Sequence, residues 1–159
     1  MGVAIRWPWV FEELGIDLSE DEPVSSRFEI ITDWMTEQFA VDQEDINSGY
    51  CFIWAFLAYA STTGTTLHDD SDEKLDHAFI SYRGRVYDSE HLDGVAVERA
   101  LDKHPWGDIL PRKVEYFCQT WCDIGRRRVA FKELLTQLWR YERRAHRRNI
   151  SSWGLDFLK

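Results

Sequence analysis

The sequence predicts an α+β protein built around one buried helix, and three stretches carry that prediction. Residues Cys51 to Ala60 contain no charge, proline or glycine and are apolar on every side, so they suit a helix placed in an interior. From Ser26 to Ala40, Phe28, Ile31, Met35 and Phe39 recur at helical intervals, which predicts an amphipathic helix. Asp76 to Tyr82 and Arg85 to Asp88 are short β-like runs separated by Arg83-Gly84, a tight-turn signal that predicts an antiparallel hairpin. A buried helix against a small antiparallel sheet, with added helices, accommodates all three.

Composition bounds what such a chain does. Its 159 residues are most simply one domain with a substantial core. A hydrophobic fraction of 44% and an aromatic fraction of 14% exclude a disordered chain, and eight tryptophans call for large packed surfaces. The net charge of -9 argues against a general nucleic-acid binder. The longest apolar run is about half of the ~20 residues that cross a bilayer, so no membrane span is expected. The start, Met1 to Pro8, lacks the pattern of a signal peptide, and Arg6 stands where a myristoylation signal needs Ser or Thr. Three cysteines do not make a disulfide framework. The expected setting is a reducing one, cytoplasmic and compatible with association with a virion.

Within a single domain spanning 1–159, segments 1–25, 26–122, 123–149 and 150–159 differ in texture. The first is an arm in which Trp7, Trp9 and Phe11 flank Pro8 and are expected to lie extended on the body. Ser26 and Glu29 have capping-box spacing for the amphipathic helix. Residues 41–49 read as a polar connector whose Asn47 or Ser48 caps the buried helix and whose Gly49 permits a tight entry. Cys51 then falls in the first turn, where the helix dipole favours a thiolate. A cysteine there is either a nucleophile or a packed thiol. Residues 61–73 read as an exposed loop; its acidic run lacks the alternating ligands and central glycine of a calcium loop.

The hairpin supplies partners for the thiol. His77 sits near the start of its first strand and Asp88 at the end of its second, so antiparallel pairing across Arg83-Gly84 brings them together. A carboxylate that holds an imidazole is the base and orienter that a thiol nucleophile requires. His68 and His91 are rival bases, ranked lower because neither is expected on a strand with an acid returning beside it.

Cys51 opening a buried helix, followed by His77 and Asp88 on successive strands, resembles the papain-like thiol hydrolase superfamily. The segment His77 to Asp88 is most similar to its transglutaminase-like and small bacterial or phage cysteine-peptidase branches. The likeness covers about residues 45–95 and implies a papain-like core within 26–122, a Cys51–His77–Asp88 triad, and a peptide or protein substrate. It implies no metal and no organic cofactor. An oxyanion hole would combine the Cys51 backbone N–H with a side-chain donor, Asn47 first and Gln43 second.

Beyond the hairpin, Val95 to His104 suggests a short helix and Lys113 to Trp121 a strand. Cys118 and Cys122 lack the further ligands that zinc needs. Arg126 to Arg148 reads as a helix with nine basic against two acidic side chains; taking its +7 from -9 leaves -16 for the rest. That asymmetry points to contact with the acidic body or a protein partner, with nucleic acid less expected in the absence of a reading motif. The aromatic tail from Trp153 is a second docking element. Three functions compete: a cysteine-dependent hydrolase or acyltransferase acting on an amide or isopeptide bond, a non-catalytic structural or interaction protein such as a virion component or effector blocker, and a nucleic-acid accessory protein.

Overall fold

Helix α4, Cys51–Ser61, is buried along its length except for the partly covered Tyr59. It belongs to a computed structural model that describes residues 2–69, 77–103 and 106–110, the side chains of residues 48, 49 and 69 excepted. The strand of 113–121, Cys118, Cys122, the basic helix and the aromatic tail lie outside the described residues. Within them the protein is α+β. Strands β1 (Thr66–Asp69), β2 (Ala78–Tyr82), β3 (Arg85–Asp88) and β4 (His91–Ala96) form an antiparallel sheet in the order β1-β2-β3-β4. No helix among the described residues is long and apolar enough to cross a membrane.

The all-round apolarity of α4 follows from what surrounds it. Helix α1 (Pro8–Leu14) and helix α2 (Val24–Phe39) pack on it, and β2 supplies most of its sheet contact. Phe28, Ile31, Met35 and Phe39 of α2 are all buried, as their spacing predicts. Phe28 meets Trp54 at 5.6 Å and Tyr87 at 5.1 Å between ring centroids, joining α2, α4 and the sheet in one core. Strand alternation divides the sheet into two faces. Leu67, Ala78, Ile80, Tyr82 and Tyr87 belong to the core around α4; Phe79 and Val86 join Ala100, Trp106 and Ile109 in a smaller cluster. Helices α5 (Val97–Ala100) and α6 (Trp106–Ile109) contribute the last three of those residues.

Several local expectations are corrected. The aromatic part of the arm, Pro8–Leu14, is helical, because Pro8 at the first turn has the φ that a helix start requires and lacks only an N–H that would go unpaired there. It is nonetheless docked, with Trp7 against Phe56 and Tyr59 at 5.8 and 5.6 Å. Helix α2 begins after Pro23, so Ser26 lies inside the first turn and donates to Glu22 Oε2 at 2.7 Å instead of capping. Residues 43–49 are helix α3, Gln43–Gly49, started by a capping box in which Asp42 and Asp45 each accept the other's backbone N–H. Asn47 therefore lies inside α3 and does not cap α4. Tyr50 joins the two helices: its N–H donates to Ile46 at 2.8 Å and its carbonyl accepts from Trp54 at 3.1 Å. Part of the expected loop is β1, with His68 opposite Phe79. Of the helix expected from Val95 to His104, the first two residues complete β4, and among the described residues of that stretch Val97–Ala100 is helical.

Candidate active site

The hairpin forms with Ile80 opposite Tyr87 and Tyr82 opposite Arg85, and Arg83 and Gly84 take positive φ of 48° and 77° at the turn. Carrying that register one pair further sets Phe79 across from Asp88, with His77 two residues beyond on the same face. His77 and Asp88 are thus diagonal neighbours, and His77 Nε2 lies 3.9 Å from Asp88 Oδ2. Both are buried, at 6% and 1% exposure. The His77 ring packs on Phe79 with centroids 5.6 Å apart, which fixes its plane.

Asp88 is the hub. Its Oδ1 accepts the Glu90 backbone N–H at 3.0 Å and the Nδ1–H of His91 at 2.7 Å. Its Oδ2 faces His77 and accepts from Asn47 Nδ2 at 3.4 Å. A carboxylate this deeply buried is tolerated as an anion only with such donors around it. Burial, and next the neighbouring Asp88 charge, raise the pKa of the Glu90 carboxyl.

For His91 the structure corrects one expectation, that no acid stands beside it on a strand. His91 opens β4 directly opposite Asp88, so an acid does stand beside it on a neighbouring strand. Between the pairs Val86–Val95 and Asp88–His91 the register shifts, β4 using the longer stretch. Gly94 lies in that stretch with φ of 84°. A Cβ there would stand 2.8 Å from the Tyr87 ring, so glycine is required both for the backbone conformation and for space. The usable signal was the Asp88-Ser89-Glu90-His91 turn, which closes a second hairpin.

Of the remaining predicted residues, Asn47 and Gln43 bond Asp88 and its following turn, and Cys51 starts α4. Cys51 is 2% exposed and is the first residue of α4. It follows Asn47 by four residues, one helical turn, across the helical hydrogen bonds at Tyr50. Asn47 ties α3 to the Asp88 carboxylate. Because α3 runs into the same junction, α4 does not present an isolated positive helix end, and the dipole contribution expected at Cys51 is reduced. Gln43 Nε2 donates to the Ser89 carbonyl at 3.0 Å, and Ser89 Oγ donates back to the Gln43 carbonyl at 2.9 Å. The two amides expected at an oxyanion thus serve Asp88 and its following turn.

His68 forms a separate pair on β1. Its Nε2 is 2.7 Å from Ser81 Oγ and its ring stacks on Phe79 at 5.0 Å. Burial pushes its pKa from 6.5 down to about 4, so it is a neutral imidazole near neutral pH. Among the described residues no group of three or more His, Cys, Asp or Glu is arranged to hold a metal. No protein-family model, curated protein or solved structure matches this chain.

Proposed function

We propose that this chain is a cysteine-dependent hydrolase or acyltransferase on a papain-like core, acting on an amide or isopeptide bond of a peptide or protein. The observation that carries this reading is the buried His77–Asp88 pair, 3.9 Å apart, with His77 just before β2 and Asp88 ending β3, strands that pack against the helix opened by Cys51. A separation of that size is longer than a hydrogen bond, as is common where catalytic contacts tighten only around substrate.

In this mechanism the Cys51 thiol gives its proton to His77, and the thiolate attacks the carbonyl carbon. The oxyanion of the tetrahedral intermediate forms at the first turn of α4, beside the junction with α3. Imidazolium at His77, stabilised by Asp88, returns the proton to the leaving amine, leaving an acyl-thioester on Cys51. Water or a second amine, deprotonated by His77, attacks the thioester and releases the acid or a new amide with Cys51 restored. Asn47 and the turn tied down by Gln43 hold Asp88 in place through these steps.

A second reading is a non-catalytic interaction protein on the same body, favoured by the burial of Cys51 at 2% exposure. Alkylation separates the two. With iodoacetamide near neutral pH, followed by peptide mass spectrometry of each cysteine, Cys51 is expected to react about tenfold faster than Cys118 or Cys122. His77→Ala should remove that advantage. Equal labelling of the three cysteines in folded protein, or labelling of Cys51 indifferent to His77→Ala, overturns the hydrolase reading.

A further inference from the structure

We infer that His91 is a positioning residue for the Cys51–His77–Asp88 group, acting through Asp88; this rests on the hydrolase reading. The carboxylate must keep one oxygen turned towards His77 for it to stabilise an imidazolium there. Of its contacts, the His91 Nδ1–H bond at 2.7 Å is the shortest, and it falls on Oδ1, the oxygen away from His77. Together with the Glu90 N–H on the same oxygen, it fixes the plane of the carboxylate and aims Oδ2 at His77 and Asn47.

Three features favour this assignment over simple satisfaction of His91 itself. The His91 side chain is 38% exposed, so its imidazole has access to water; the buried partner, at 2%, is Asp88. The Asp88–His91 pairing also depends on the register shift that Gly94 permits, so β4 delivers this imidazole where an even ladder would place another residue. The His91 ring further meets Trp106 edge-on at 4.8 Å, which restricts rotation about the bond to its ring. A donor held by Trp106 on one side and strand pairing on the other fixes the carboxylate more firmly than a mobile surface group.

The test exploits the different reach of two amides. Asparagine sets its Nδ2–H₂ close to where His91 carries Nδ1–H, whereas glutamine is longer by one carbon and overshoots that position. The Cys51 alkylation rate is measured in wild type, His91→Asn, His91→Gln, His91→Ala and His77→Ala, each confirmed folded by its melting curve. His91→Ala and His91→Gln should each slow Cys51 by about tenfold or more, as loss of a hydrogen bond to a charged group predicts, while His91→Asn stays within about twofold of wild type. A merely structural His91 would affect melting without separating Asn from Gln in Cys51 reactivity. If His77→Ala is slow but His91→Asn and His91→Gln react alike, the positioning role falls and the hydrolase reading stands. If His77→Ala itself reacts like wild type, both fall.

Discussion

Arg27 offers the sharpest test of how the site's helix is held. It is fully buried in α2, and its guanidinium is spent on backbone carbonyls rather than on a carboxylate. Nε donates to Glu22 at 3.1 Å, Nη1 to Ser61 at 2.7 Å, and Nη2 to Glu20 at 2.9 Å and to Val3. These carbonyls belong to the N-terminal arm, the approach to α2 and the last residue of α4, so one side chain clasps three segments. Burial lowers its pKa, with Glu20 opposing the shift, yet a guanidinium remains charged across the physiological range. Arg27→Met keeps much of the stem's packing and removes every donor. The Ser61 contact is fully buried and its carbonyl would lose its partner, at about 1–3 kcal/mol; the partly buried carbonyls regain water at smaller cost. A total of about 3–4 kcal/mol corresponds to a melting point lower by roughly 10 °C for a chain of this length. Arg27→Lys, a point charge without the fork, should fall between. Circular dichroism gives the melting point, and limited proteolysis should show the arm up to Glu22 cut sooner. A methionine variant that melts within about 2 °C of wild type, with its arm equally protected, would refute the clasp.

Other outcomes follow from the same structure. Cys51→Ser should leave melting nearly unchanged and abolish the reaction with iodoacetamide at that position, since a serine hydroxyl is far harder to ionise. On the proposed hydrolase mechanism, Asp88→Asn should preserve much of the fold yet slow Cys51 alkylation by about tenfold or more, through loss of the charge proposed to stabilise a His77 imidazolium; unchanged reactivity in folded protein would remove Asp88 from the mechanism. Below pH 6.5 the unfolded chain protonates His68 while the folded protein, with the pKa near 4, does not, so stability falls as pH drops from about 6.5 to 4 and this contribution levels off below that. That contribution amounts to about 3 kcal/mol at most, and His68→Gln should flatten the melting-point profile across the window. Gly94→Ala should lower stability by about 1–3 kcal/mol, through strain at positive φ and collision with Tyr87. Gly84→Ala, where a Cβ meets nothing within 4 Å, should cost only the backbone strain, and the difference in melting point between the two measures the collision.

Those features legible in the sequence are the ones governed by local patterns. An uninterrupted apolar run can only be buried, so α4 was evident, as was the stripe Phe28, Ile31, Met35, Phe39 on α2. The turn Arg83-Gly84 sets the register of β2 and β3, and register alone brings His77 near Asp88. What the sequence left undetermined depended on contacts between distant segments. Whether residues 43–49 coil or wind into a helix was decided by the Asp42 capping box and by Gln43 binding Ser89 forty-six positions away. Thr66–Asp69 alternates too weakly to declare itself a strand and becomes one by pairing with β2, one face closing on the core at Leu67. His91 became the tightest partner of Asp88 because a register shift, with glycine at a positive φ, turned β4 to face the carboxylate. Periodicity reports which face of an element is apolar; it does not report which polar side chains meet where elements end. There the buried Asp88 carboxylate draws its donors from α3, β4 and the turn between β3 and β4, and only the tertiary structure brings those ends together.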